Sequence, residues 1–286
     1  MKQVTKKQFD ALYPDEDTCL DKIFTLKYSS TKVCPKCGKA FKYHKLKGLK
    51  LYSCQWCGHN LAPTADTIFH KSSTPLTSWF YCIYLFSISK NGVSAKEIQR
   101  HLGCTYKCAW RIAHRVRYLF NSTGSPLDNI VEADETYVGG KGKGKRGRGS
   151  ENKTPVFGMV ERNGDVRAHV TVDTKRNTVM PLIREHVEIG TQVMTDEYHP
   201  YKSLTREGYI HQSVAHGVKE YVRGEVHTNT IEGFWSQLKR SINGTYHAVS
   251  PKYLQGYVSE FSWRYNHRDS VLPTFPLLLE KVSQKV

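Results

Sequence analysis

Two cysteine pairs constrain this chain more than any other feature. Cys34-Pro-Lys-Cys37-Gly and Cys54-Gln-Trp-Cys57-Gly repeat a C-x2-C knuckle, with 16 residues between the pairs. Each knuckle turns tightly enough to aim two thiolates at one ion, and the glycine after it relieves the backbone. Four unrelated cysteines would not be expected to fall into both spacings. Cys34, Cys37, Cys54 and Cys57 are therefore expected to hold one structural Zn2+ in a closed tetrahedral site. The intervening YHKLKGLKLYS reads as the hairpin of a ribbon. A site closed by four thiolates has no open position, so this module binds rather than catalyses.

The partner is suggested by charge. Lys and Arg number 42 against 26 Asp and Glu, a formal net charge of +16, which points to a polyanion and first of all to nucleic acid. A membrane surface would call for a basic amphipathic anchor or a lipidation signal, and MKQVTKKQFDALYPDED offers neither. The apolar stretch Trp79 to Phe86 is far short of the roughly 20 residues a spanning helix needs and reads as a buried helix. The expected location is cytoplasmic and nucleoid-associated. A glycine- and lysine-rich segment, Gly139 to Lys153, offers Lys143, Lys145, Arg146 and Arg148 as phosphate contacts.

Between residues 76 and 120 the pattern is helical. Ser94-Ala-Lys-Glu97 has the form of a capping box, Ile98 and Leu102 give an apolar edge, and Gly103 stops it. Thr105 opens a second helix whose stripe is Ala109, Ile112, Ala113 and Val116, with Lys107, Arg111, Arg115 and Arg117 as cations. This is the outline of a helix-turn-helix. The N-terminal part of its second helix would enter the major groove, so Thr105, Tyr106, Lys107, Arg111 and Arg115 are the candidate DNA-binding residues. An ordinary helical hairpin is the alternative.

Beyond residue 126 the pattern turns to strands at 130–138, 156–160 and 166–172, a helix at 176–187, a strand at 191–196 and two closing helices. This order is compatible with an RNase H-like mixed α/β core. Alternation within Glu132-Ala-Asp134-Glu135-Thr136 puts Asp134 and Thr136 opposite Glu135 and Tyr137. Asp196 ends a second short strand just before His199-Pro200. In the helix from Thr230, Ile231, Phe234, Trp235 and Leu238 form the core stripe, leaving Asn229, Glu232, Ser236 and Lys239 on another face. Two Asp and one Glu supply the hard oxygen ligands that two catalytic Mg2+ ions require, with Mn2+ able to substitute. Lys239 is two turns from Glu232, within reach of an approaching phosphate.

The runs Asp134-Glu-Thr-Tyr-Val-Gly-Gly, Thr195-Asp196-Glu-Tyr and His227-Thr-Asn-Thr-Ile-Glu232-Gly-Phe-Trp-Ser-Gln-Leu-Lys239-Arg resemble the signature blocks of bacterial insertion-sequence transposases of the ISXO type, relatives of the eukaryotic Merlin elements. Phe261-Ser-Trp-Arg-Tyr-Asn-His-Arg268 and the cysteine knuckles extend the resemblance over most of the chain. It implies a DDE transposase with Asp134, Asp196 and Glu232 as catalytic acids and Lys239 as the basic residue after them. Some members of that group carry Asn at the third position, so Asn229 competes with Glu232; a carboxylate ligates Mg2+ better, which favours Glu232. The expected chain is a multidomain α/β protein: a zinc ribbon at 1–70, a helix-turn-helix at 71–125 and the RNase H-like catalytic domain at 126–286. Its partners would be terminal inverted repeats and target DNA, with a homo-oligomer assembled on them. A DNA-binding regulator without catalysis and an RNase H-like nuclease are the rival functions.

Overall fold

The computed structural model describes residues 3–121, 124–140, 153–214 and 222–284. They form two compact units, residues 1–119 with 270–286, and residues 120–269.

The first unit opens with two helices that the sequence reading did not assign, α1 (Lys6–Leu12) and α2 (Glu16–Tyr28). Thr5 and Asp15 cap them through side-chain oxygens that accept the N–H groups of Gln8 and Thr18. The antiparallel ribbon follows as β1 (Tyr43–Lys45), β2 (Tyr52–Cys54) and β3 (Asn60–Leu61), with β2 in the centre. Phe24 of α2 stacks on Tyr52 at 3.8 Å between centroids, and Asp21 accepts the Tyr52 hydroxyl, so the ribbon folds against a helix instead of standing alone. Next come α3 (Leu76–Ile88), the buried apolar helix, then α4 (Ala95–Leu102) and α5 (Tyr106–Arg117). The Ser94 hydroxyl accepts the Glu97 N–H to start α4, Gly103 at φ 62° ends it, and Thr105 accepts the Cys108 N–H to start α5.

The second unit is a five-stranded sheet with helices on both faces. Its strands are β4 (Ile130–Gly139), β5 (Lys153–Glu161), β6 (Val166–Val170), β7 (Gln192–Asp196) and β8 (Ile210–Val214). Their order is β6-β5-β4-β7-β8; β4, β5 and β6 are antiparallel, while β7 and β8 run parallel to β4. Asn163, at φ 62°, makes the turn between β5 and β6. Strand β8 was not read from the sequence. The helices are α6 (Arg176–His186), α7 (Asn229–Ser241) and α8 (Pro251–Asn266), and a 3-10 helix, His199–Glu207, follows β7.

Alternation along the strands builds two cores. Val131, Ala133, Phe157, Met159 and Val193 pack with Val179, Met180 and Ile183 of α6. Val138, Val156 and Val160 pack with Ile231, Phe234, Trp235 and Leu238 of α7 and with Leu254, Val258 and Phe261 of α8. Each such aliphatic or aromatic side chain contributes about 1.5–3 kcal/mol by leaving water, and together they fix α7 against the sheet. The outer edge of β6 is sealed by two amides of α8. Asn266 accepts the Val166 N–H and donates to the Val166 carbonyl, while Gln255 accepts the Val170 N–H and donates to the Ala168 carbonyl.

The last helix, α9 (Thr274–Glu280), falls within the expected segment 126–286 in chain order but packs on α3 and belongs to the first unit, so the expected boundary at 286 moves back to Asp269. Its Phe275 meets Phe9 edge-on at 5.5 Å.

Candidate active site and zinc knuckles

The four knuckle cysteines converge: the sulfurs of Cys34, Cys37, Cys54 and Cys57 all lie within 4.8 Å of one another. The two knuckles are built alike. Cys34 and Cys54 donate their N–H groups to the carbonyls of Lys39 and His59, and Gly38 and Gly58 donate back to Cys34 and Cys54 at φ 69° and 68°. Cys34 Sγ and Cys57 Sγ are 3.8 Å apart, the tetrahedral edge expected for Zn–S bonds of about 2.3 Å. All four thiols are free of disulfides. Burial pushes the Cys34 thiol up, but hydrogen bonds from the Tyr43 hydroxyl and the N–H groups of Cys37 and Lys36 outweigh it and bring it down to about 5. The donor set fits a structural Zn2+.

In the second unit, Asp134 projects from the middle of β4 onto the face covered by α7. Its strand neighbour β7 is parallel, with Glu132 opposite Met194. Asp134 and Asp196 each lie two residues beyond that pair, so the parallel register sets Asp196, the last residue of β7, beside Asp134 in the middle of β4. Burial first, then the charges of Glu135 and Asp196, push Asp134 up to about 7. The Trp235 indole N–H donates to Asp134 Oδ2 at 3.0 Å and opposes that shift.

Trp235 reaches Asp134 because of a glycine. Gly158 is the cross-strand partner of Asp134, and a Cβ there would fall 2.5 Å from the indole ring. No side chain at 158 means that the indole can lie over β5. On the opposite face, Glu135 is buried and accepts the Tyr201 hydroxyl at 2.7 Å.

The third element is tied to the first by a residue that the sequence reading passed over. Glu132, fully buried, accepts from the N–H groups of Thr230 (2.7 Å) and Ile231 (3.1 Å), the Thr230 hydroxyl (2.9 Å) and Arg162 Nε (2.7 Å). His227 Nδ1 lies 3.2 Å away. Thr228 does not cap α7 with its side chain; a carboxylate from the sheet satisfies the first-turn donors instead. Nothing local in the sequence marks this, because the partners are 98 and 99 residues apart.

Asn229, Glu232, Ser236 and Lys239 lie on the exposed face of α7, and the Thr228 hydroxyl donates to Glu232 at 3.0 Å. Desolvation holds Lys239 below its usual range, with the charge of Asp134 opposing the shift and that of Lys153 adding to it. Among the described residues, the cysteines are the one group of three or more ligating side chains within 4.8 Å; Asp134, Asp196 and Glu232 do not close to that distance.

The helix candidates of the first unit separate by exposure. Thr105, Tyr106 and Lys107 are exposed, and Lys96 sits over the Tyr106 ring at 5.0 Å. Arg111 reaches the Ser72 and Thr74 hydroxyls, and Arg115 donates to the carbonyls of Ile68 and His70 at 2.9 Å. Arg117 is buried and donates to the Val93 carbonyl. Lys143, Lys145, Arg146 and Arg148 lie outside the described residues.

Two family models match the chain: an ISXO2-like transposase domain over residues 126–266 and a transposase zinc-ribbon domain over residues 14–60. The chain belongs to the ISXO2-like transposase family. The ribbon match begins before α2 and so takes in the helix that stacks on β2. A protein of transposable element ISH50 from Halobacterium salinarum is 27% identical over 252 residues, 81% of this chain and 84% of its own length. A transposase-like protein from Haemophilus influenzae is 25% identical over 100 residues, 35% of this chain and 80% of its own. Among solved structures, a simian T-cell lymphotropic virus intasome in complex with PP2A regulatory subunit B56 gamma matches 65% of this chain and 70% of that one at 13% identity. Its TM-score of 0.34 is too low to speak for the fold. No described helix of this family member is long and apolar enough to cross a membrane.

Proposed function

We propose that this chain is a DDE transposase that binds the ends of its insertion sequence and carries out metal-dependent DNA strand cleavage and strand transfer. The observation that carries the reading is the pairing of Asp134 with Asp196: two carboxylates at matched positions on adjacent parallel strands, one of them raised to about 7 by burial and by its neighbours' charge. Such a pair is costly without a cation and well suited to one. The sheet order, with a central strand flanked by an antiparallel meander and a parallel pair, supports an RNase H-like core.

Asp134, Asp196 and Glu232 would hold two Mg2+ ions, which supply an activated attacking oxygen and stabilise the leaving one. The remaining work belongs to the chain. Trp235 donates to one oxygen of Asp134 and so fixes the orientation of its carboxylate. Glu132 holds the first turn of α7, so Asn229 and Glu232 project from a fixed helix end. Lys239, close to Asp134 in charge terms, meets the phosphate. In the first unit, Thr105, Tyr106 and Lys107 on a helix-turn-helix would read or grip DNA, with the zinc ribbon adding phosphate contacts. We read residues 1–70 and 71–125 as the DNA-gripping segments, with α9 joined to them, and the unit that ends at Asp269 as the catalytic one, the protein as cytoplasmic, and the working form as a homo-oligomer on DNA.

The test is an oligonucleotide cleavage and strand-transfer assay with Mg2+ or Mn2+, beside a binding assay. Asp134→Asn, Asp196→Asn and Glu232→Gln should lose activity by orders of magnitude and keep end binding. Inactive Asn229→Ala with active Glu232→Gln would move the third role to Asn229. Full activity in either aspartate variant would end the mechanism. Wild-type protein that binds ends without cutting is a regulator, and one that cuts without joining is a nuclease.

A further inference from the structure

A cleft of about 260 Å³ opens beyond the acids, where β4 ends, β5 begins and α7 gives way to a π-turn. Lys153 of β5 and Lys239 of α7 line it, with Asn243 and His247 from the turn and the backbone of Gly139 and Gly140. Among the described residues, no carboxylate is in the lining. We propose that this cleft is a phosphodiester subsite, holding the backbone phosphate of the nucleotide next to the one at Asp134 and Asp196. The proposal rests on the catalytic reading above.

Two observations point to an anion. Lys153 and Lys239 line the same cleft, where two like charges are unfavourable until an anion sits between them. The cleft is lined by the far end of β4, the strand that carries Asp134, and the same Lys239 feels the Asp134 charge. A strand whose reacting phosphate lies at the acids would pass its next phosphate over the two lysines. The cavity is smaller than the pockets that enclose drug-sized ligands, and it suits a phosphate and part of its sugar.

The turn supplies the independent observation. Residues Ile242–Tyr246 take a π-helical turn, and His247 after it has φ 62° and ψ −49°. A residue with a Cβ resists that conformation, and both features gather at functional sites. Its N–H donates to the Ile242 carbonyl at 2.8 Å, which holds the turn closed. The strain places Asn243 and His247 at the lip of the cleft, where an amide and an imidazole can bond to phosphate oxygens.

The experiment measures affinity of the full chain for end DNA across a range of KCl, without divalent ions, for wild type, Lys153→Ala, Asn243→Ala and His247→Gly. Lys153→Ala should weaken binding roughly 5–10-fold near 0.15 M salt and reduce the slope of log K against log salt by about 1. His247→Gly should raise the melting temperature, because glycine tolerates the backbone, while weakening DNA several-fold. Millimolar inorganic phosphate should not compete. An unchanged salt slope in a folded Lys153→Ala protein, unchanged affinity in His247→Gly, or equal competition by free phosphate would each overturn the subsite. Those failures beside normal cleavage by wild type would leave the catalytic reading intact. Wild-type protein that never cleaves while Lys153→Ala still loses a phosphate contact would remove the catalytic reading and keep the cleft.

Discussion

Glu132 accepts the backbone N–H of Thr230 at 2.7 Å, which joins the central strand to the first turn of α7 across 98 residues of sequence. The same carboxylate pairs with Arg162 at 2.7 Å. Glu132→Gln turns an acceptor-only group into one that points an N–H at other donors and, among the described residues, leaves Arg162 with only the exposed Glu225, at 4.0 Å, as a charge partner. The loss should be roughly 3 kcal/mol, within the range for breaking a buried pair. Urea unfolding of the variant measures it, and a cycle with Arg162→Met separates the ion pair from the helix cap. A loss below about 1 kcal/mol would show that water or a neighbour takes over the role.

Asp134 makes stability depend on pH in an unusual direction. Its folded value is raised to about 7 from an ordinary 3.8, so the folded state binds the extra proton between those values. Stability from this group is therefore present at low pH and is lost as pH rises through about 4 to 7, by at most about 4 kcal/mol without metal. Metal-free Asp134→Asn should melt higher than wild type at pH 8, with the gap narrowing as pH falls toward 5. Metal affinity of the wild type should rise over the same window, since the bound form must lose that proton. A melting difference that does not change with pH would refute the assignment.

Elemental analysis should find one zinc per chain, lost with Cys54→Ser, and chelation should unfold the ribbon. The stacking of Phe24 on Tyr52 predicts that α2 loosens with it. Hydrogen exchange at residues 16–28 is the measurement, and full protection there after zinc removal would count against the coupling.

Within α5, two basic residues should behave differently. Lys107 is exposed, whereas Arg115 is committed to the carbonyls of Ile68 and His70. Lys107→Ala should weaken DNA binding several-fold and leave the melting temperature alone. Arg115→Ala should cost about 1–3 kcal/mol of stability by leaving the Ile68 and His70 carbonyls without this donor. A reversed pattern would mean that the DNA-facing side of α5 is the other one.

What could be read in the sequence was whatever is periodic or closely spaced. The knuckles, the alternation around Asp134 and the stripe Ile231, Phe234, Trp235 and Leu238 are local patterns, and the structure builds its elements on them. Residues that act at a distance gave no signal. Glu132 looks like any acid in a strand until Thr230 and Arg162 arrive, and Gly158 looks like a weak point in β5 until Trp235 fills the space. Strand β8 was missed because Ile210 is exposed and only Val214 is buried, which leaves little alternation to detect. The return of α9 to α3 is likewise a contact between distant segments.

The amides of Asn266 and Gln255 on the β6 edge bear on how copies of this chain can associate. A sheet that is open at both margins can be extended indefinitely, and that is the route to fibres. Here one margin is already occupied by side chains that imitate a neighbouring strand. Among the described residues, β8 is left as the sheet's other terminal strand. If two copies were to join there, neither would have a free margin left, and strand addition would end with a pair.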